Sequence, residues 1–215
     1  MLKQKSKQNF FLFNSIALAS LLFLVWNLER RQINWLDRGS SLKGTQPLVM
    51  QGGDPYLRAL MRTISASEAN VPQPYRVIYG GEQVWDLSRH PNRCVTIVTG
   101  PNAGNCSTAA GRYQFLNRTW DEKAQRYHPR PFGFWIWQGY SFEPQYQDAV
   151  VYAWLSDRQA WGVDISQLLQ QGKVTQVLRL LSGTWTSLGY GIETNSMSSR
   201  LPQIYQQILA EELGN

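Results

Sequence analysis

Glu68 closes a short run, Ser65-Ala66-Ser67-Glu68, whose upstream pattern is helical and whose downstream residues are not. A glutamate at a helix end can project into a cleft, where partial burial raises its pKa and keeps it protonated as a general acid. By position alone, a solvated surface carboxylate is the commoner outcome. Glu82 and Asp86 follow a Gly80-Gly81 turn, and either could in principle face Glu68 across such a cleft. Two carboxyl groups flanking one bond is the arrangement that hydrolysis of a glycosidic linkage uses. His90, in a turn before Pro91, and His128 read as structural hydrogen-bonding groups. No Ser/His/Asp or Cys/His arrangement can be inferred, and no metal or cofactor site is expected.

The elements that must hold Glu68 are legible around it. Asp54-Pro55 is a good helix start, with Asp as cap and Pro in the first turn. Tyr56, Leu57, Leu60, Met61 and Ile64 recur at near-helical spacing, and Pro72 and Pro74 forbid continuation, so the helix ends around Glu68 to Asn70. Tyr75 to Tyr79 favours a strand, Gly80-Gly81 a turn, and Val84-Trp85 the start of a returning strand. Helix-like segments follow over 109–127, 144–160, 165–182 and 198–213, which together give an α+β domain, mainly helical with a small β-region. Phe132 to Phe142 concentrates aromatics between Gly133 and Gly139 and reads as a loop flanking the cleft or a hydrophobic lip.

The N-terminus sets the compartment. Lys3, Lys5 and Lys7 precede an uncharged, strongly apolar run from Asn9 to Leu28, which Glu29, Arg30 and Arg31 close. About 20 helical residues span about 30 Å, the thickness of a bilayer's hydrocarbon core. A cleaved signal peptide is the competitor, but the one A-x-A-like triplet, Ala17-Leu18-Ala19, lies inside the apolar run. The expected organisation is therefore an uncleaved signal anchor over 1–31, a Gly/Ser/Pro-rich linker over 32–53 and a domain over 54–215. Flanking charge favours the N-terminus inside and the domain outside the cytoplasmic membrane. In an exported domain Cys94 and Cys106 are expected to form a disulfide, the alternative being two thiols in a reducing cytosol.

Composition narrows the partners. The formal charge of +6 is modest and dispersed, which fits a cell wall or membrane surface. With no Cys/His spacing, phosphate-binding glycine loop or recognition motif, nucleic acid is not expected. Aromatic residues make up 13% of the chain, including nine Trp, a residue suited both to cores and to stacking on sugar rings.

Several short segments occur in one order: Ser67-Glu68-Ala69-Asn70; Val77-Ile78-Tyr79-Gly80-Gly81-Glu82; Asp86, Ser88 and His90-Pro91; Ala110-Gly111-Arg112-Tyr113-Gln114-Phe115-Leu116 with Trp120-Asp121; Phe142, Pro144 and Gln147-Asp148-Ala149-Val150; Trp185-Thr186-Ser187-Leu188 with Gly189-Tyr190-Gly191. This ordered set resembles the phage lambda endolysin family of lytic transglycosylases, over nearly all of 56–213. The resemblance implies a lysozyme-like domain that acts, as a monomer, on peptidoglycan glycan strands. It implies Glu68 as the lone acid and base, cutting between N-acetylmuramic acid and N-acetylglucosamine and leaving a 1,6-anhydro end. It also implies substrate contacts from Tyr113, Gln114 and Tyr190, with Glu82 and Asp86 near the substrate but not acting as a nucleophile. The bland reading of the Gly111–Gln114 segment is that Gly111 relieves packing and Tyr113 is core. The chain departs from the family in a shorter loop before Tyr190 and in two additions, the Cys94–Cys106 loop and the segment 128–141. A hydrolytic muramidase using Glu82 or Asp86, and a non-catalytic wall-binding protein, are the alternatives. The apolar N-terminal run favours a resident bacterial enzyme over a phage lysin with a releasable anchor.

Overall fold

A computed structural model describes residues 42–130, 139–190 and 197–214. The expected anchor and the first part of the linker lie outside these residues, as does most of the aromatic segment 132–142. Among the described residues no helix is long and apolar enough to cross a membrane.

The organising element is helix α1, Pro55–Glu68. Asp54 caps it as expected, its Oδ1 accepting the Tyr56 N–H at 2.8 Å, and Pro55 opens the first turn. Leu57, Leu60, Met61 and Ile64 form the anticipated apolar face, and Ala59, Thr63, Ser65 and Ala66 are buried as well. A helix buried on nearly every side is a central one, and the others pack around it. Helix α2 (Asn117–Tyr127) lies on α3 (Pro144–Ser156), and α3, α5 (Ile165–Gln170) and α7 (Leu201–Gly214) contact α1 directly. Two shorter helices, α4 (Arg158–Trp161) and α6 (Val174–Leu181), complete the helical part. The pairing of α1 with α7 carries buried charge: Arg62 reaches Glu212 at 2.8 Å and also pairs with Glu211, while Arg58 reaches the other Glu212 oxygen at 2.6 Å.

The small β-region takes two forms. The expected hairpin exists as isolated pairing, Val77 against Gln83, around Gly80 and Gly81 at φ of 85° and 93°. The ladder proper is β1 (Val95–Thr96) against β2 (Cys106–Ser107), antiparallel with Val95 opposite Ser107. The expected Cys94–Cys106 disulfide joins its ends across a Cα–Cα distance of 5.3 Å.

Three long helices expected from periodicity are shorter or broken. The segment from 109 becomes helical only at Asn117, because Gly111 and Gln114 turn the chain at φ of 74° and 47°. Asp157 interrupts 144–160 by capping α4, its carboxylate accepting the Gln159 and Ala160 N–H groups. Gly172, at φ 73°, separates α5 from α6.

Residues 42–53, expected to be tether, instead form part of the folded unit that begins at Leu42. Leu48 is buried, and Gly44 lies so close to the end of α1 that a Cβ there would meet the Ser65 carbonyl at 2.6 Å. The backbone of this stretch meets two buried charges. Asp148 Oδ2 accepts the Val49 and Met50 N–H groups at 2.8 and 3.1 Å. The Arg112 guanidinium donates to the carbonyls of Pro47 (3.1 Å), Gly44 (3.2 Å) and Gln46. Glycine-, serine- and proline-rich composition describes flexible chain only where nothing buried needs its backbone.

Candidate active site

Glu68 is the last residue of α1 and is half-buried. Its position is fixed by a second element, the 3-10 turn Thr186–Leu188. Ser187 Oγ donates to Glu68 Oε1 at 2.5 Å, and Ser67 Oγ donates back to the Ser187 carbonyl at 2.7 Å. The end of α1 and the turn are thus clasped by two reciprocal bonds. The turn is itself anchored from below. Trp185 is buried, donates its indole N–H to the Tyr113 carbonyl at 3.0 Å, and packs against Trp154 and Trp161 at 5.3 and 6.4 Å between ring centroids. Gly189 follows at φ 79°, where a Cβ would sit 2.1 Å from Ser198 Oγ, so only glycine fits between the turn and that serine.

Three described non-glycine residues adopt positive φ: Asn92, Gln114 and Tyr190. Such backbone costs of order 1–3 kcal/mol and persists where the surroundings fix it, often at functional sites. Two of the three were expected as substrate contacts. Tyr190, at φ 69°, is 41% exposed and has the Arg179 guanidinium 5.4 Å from its ring, three residues beyond Ser187. Gln114 is half-buried, and its amide donates to the carbonyls of Gly111 at 3.0 Å and Val77 at 3.3 Å.

Tyr113 does not fit the substrate contact expected of it. It is 0% exposed, and its hydroxyl donates to Asp148 Oδ1 at 2.7 Å, so no sugar ring can reach it. Burial, and then the Asp148 charge, push the Tyr113 hydroxyl well above the usual phenol range. Gly111 likewise serves packing: a Cβ there would meet Gln147 Oε1 at 2.3 Å and Phe142 Cζ at 2.7 Å. The core reading of Gly111 and Tyr113 is the one the fold adopts.

Glu82 and Asp86 have partners of their own. Both carboxylate oxygens of Glu82 accept from Arg93, at 2.6 and 2.8 Å, and these bonds hold its pKa below the usual carboxylate range. Asp86 Oδ1 accepts the Ser88 N–H at 2.9 Å, and hydrogen bonding to Ser88 lowers its pKa too. Both acids line a groove of about 500 Å³ with Trp85, Arg89 and His90, and Glu68 is not among its walls. Each acid is thus already engaged by a neighbour on its own segment, Glu82 by Arg93 and Asp86 by Ser88.

The histidines are structural. His90 bridges the Phe115 carbonyl (2.8 Å) and the Asn92 N–H (3.1 Å), and His128 bridges the Ser141 carbonyl and the Arg130 N–H, both at 3.1 Å. Burial lowers the pKa of each below that of free histidine. Among the described residues no cluster of three His, Cys, Asp or Glu could hold a metal ion. Sequence reasoning passed over Ser187. Ser187 stood inside a quoted motif, but a hydroxyl carries no signal of its own until the chain brings it to Glu68.

A central buried helix ending in a glutamate, ringed by helices and flanked by a small β-region, is a lysozyme-like fold. The chain resembles bacteriophage lambda lysozyme complexed with a chitohexasaccharide at a TM-score of 0.55 and 28% identity, covering 74% of this chain and 97% of that one. It also resembles lysozyme from bacteriophage lambda at a TM-score of 0.50 and 25% identity, covering 77% and 96%. In sequence it is 34% identical over 120 residues to the endolysin of Escherichia phage lambda. That match spans 54% of this chain and 64% of the phage protein, just under two thirds of its length. The profile of the Endolysin family matches residues 58–211, and the chain belongs to that family.

Proposed function

We propose that this chain is a peptidoglycan lytic transglycosylase that cleaves the β-1,4 bond between N-acetylmuramic acid and N-acetylglucosamine, with Glu68 as acid and then base. The observation that carries the reading is the clasp of Glu68 by Ser187 at the end of α1, while Glu82 is tied to Arg93 and Asp86 to Ser88. Family membership and likeness to a lysozyme complexed with a chitohexasaccharide support the substrate class.

Ser187 donates to Glu68 Oε1, which orients the carboxyl group that carries the reacting proton. That proton passes to the glycosidic oxygen as the bond from C1 breaks, and the N-acetylglucosamine side departs as an alcohol. The carboxylate so formed is stabilised by the Ser187 hydroxyl. It then takes the proton of the muramyl C6 hydroxyl while O6 attacks C1, which closes the 1,6-anhydro ring and restores the acid. No water is consumed and no second carboxylate is needed. Tyr190 and Gln114 contribute substrate contacts at the rim.

Mass spectrometry of strands digested by the purified enzyme tests the reaction. Products lighter than hydrolysed muropeptides by one water are expected; hydrolysed ends would contradict transglycosylation and favour a muramidase. For localisation, the Asn9–Leu28 run supports a single-pass anchor in the cytoplasmic membrane with the domain outside. Membrane fractions before and after depolarisation check this, since release into the soluble fraction would point to a lysin with a releasable anchor.

A further inference from the structure

Trp85 is the exception among the described tryptophans. Trp120, Trp154 and Trp185 are buried and Trp161 is half-buried, whereas Trp85 is 73% exposed. Leaving an indole in water forfeits the burial that usually stabilises it, so the position of its ring calls for a reason. The ring is also held. The Arg76 guanidinium sits 4.8 Å from its centroid, and Arg76 Nη1 donates to the Trp85 carbonyl at 3.1 Å. Val84 N–H donates to the Arg76 carbonyl at 2.9 Å, so the platform is built on the paired arms of the hairpin.

Two shallow grooves meet at this ring. One, of about 500 Å³, offers Glu82, Asp86, Ser88, Arg89 and Arg93. The other, of about 360 Å³, is lined by Gln46, Gln73, Tyr75 and prolines 72, 74 and 144. Glu68 lines neither. The charges beside the ring are of both signs, Glu82 and Asp86 with Arg76, Arg89 and Arg93. This mixture of acceptors and donors suits the hydroxyl, acetamido and lactyl groups of a glycan strand better than the uniformly anionic surface of a bilayer.

We propose that Trp85 is the platform of a second glycan site, distinct from the cleft at Glu68, that grips a β-1,4-linked N-acetylated aminosugar strand. The apolar C–H face of a pyranose stacks on the indole, and its hydroxyl and acetamido groups bond to the polar groups of the flanking grooves. The inference rests on the reading of the chain as a peptidoglycan enzyme. It deepens that reading by adding a hold on the polymer that does not depend on the reacting bond.

The test uses the full chain carrying Glu68→Gln, to prevent turnover, with and without Trp85→Ala or Trp85→Phe. Binding is read by co-sedimentation with purified sacculi and with peptide-free glycan strands, and by intrinsic fluorescence on titration with chitohexaose. Trp85→Ala is expected to weaken binding to both polymers roughly five- to tenfold. It should also remove most of the fluorescence change, while Trp85→Phe keeps most of the affinity. Unfolding temperature should be unaltered, since the ring is on the surface. Undiminished binding of Trp85→Ala to peptide-free strands would overturn the proposal. So would Trp85-dependent binding confined to vesicles of anionic phospholipid. A failure of the catalytic reading is separable: it appears as lysis that survives Glu68→Gln and leaves these binding differences untouched.

Discussion

A glutamate at the end of a helix has two oxygens and free rotation, and an acid–base catalyst needs one proton at one place. Ser187 supplies the constraint by donating to Oε1 from the turn after Trp185. A hydrogen bond to an ionised group is worth roughly 1.5–3 kcal/mol. Ser187→Ala is therefore expected to lower kcat about ten- to a hundredfold with little change in KM. Because the lost bond stabilised the ionised form, the alkaline limb of the pH–rate profile, on which the protonated acid is lost, should move to higher pH, and Ser187→Thr should recover much of the rate. An unchanged profile and rate would assign the serine to structure alone. Before the fold, the resemblance carried by the ordered motifs raised Glu68 above its position, and the structure puts it at the end of α1 against Ser187. Tyr113 was misread for the opposite reason: nothing in a Gly-Arg-Tyr-Gln string shows that the ring points at a buried Asp148 rather than at substrate.

At the scale of elements, the site depends on where α1 ends, which depends on α1 staying against α7. That contact includes Arg62, 3% exposed, and Glu212, 9% exposed, with Arg58 beside them. Burial alone would raise the pKa of Glu212, but hydrogen bonds and charge from the two arginines outweigh it and hold it below the usual carboxylate range. Its folded pKa thus lies below its unfolded one. The stability it contributes is complete above the ordinary glutamate range and is lost as pH falls through the folded value. Thermal unfolding followed from neutral pH downwards should show this acid loss, and Glu212→Gln should flatten that limb. At neutral pH the same substitution leaves a buried arginine short of its partner, at a cost of about 3 kcal/mol or more. The cap at Asp54, the apolar face of α1 and its stop before the prolines were readable, since each is a local rule. The breaks at Gly111, Asp157 and Gly172 were not, because apolar periodicity runs straight through them.

The whole molecule is larger than the unit its composition outlines. Residues 42–53 close over the guanidinium of Arg112 and the carboxylate of Asp148 and supply backbone partners to both. A chain shortened to begin at Asp54 removes those carbonyl and N–H partners together. Among the described residues Arg112 then keeps only Tyr75, and Asp148 only Tyr75 and Tyr113. A buried charge short of most of its partners costs several kcal/mol, a large share of a domain's stability. Circular dichroism should therefore show a chain beginning at Leu42 folded and one beginning at Asp54 unfolded or molten; equal melting curves would refute the staple. Sequence could not show this, because the anchoring atoms of 44–50 are mostly backbone atoms, which have no residue type to read. The lysozyme-like fold was legible only through the resemblance that the ordered motifs from Ser67 to Gly191 carry; the local patterns alone gave an α+β domain.

The central claim is that Glu68 alone performs the acid and base steps. Its most direct test is the release of soluble fragments from purified sacculi by Glu68→Gln protein whose unfolding temperature matches the parent's. The substitution keeps the shape and the bond from Ser187 but removes the transferable proton, so release should fall to background. Substantial release by the folded variant would contradict the account.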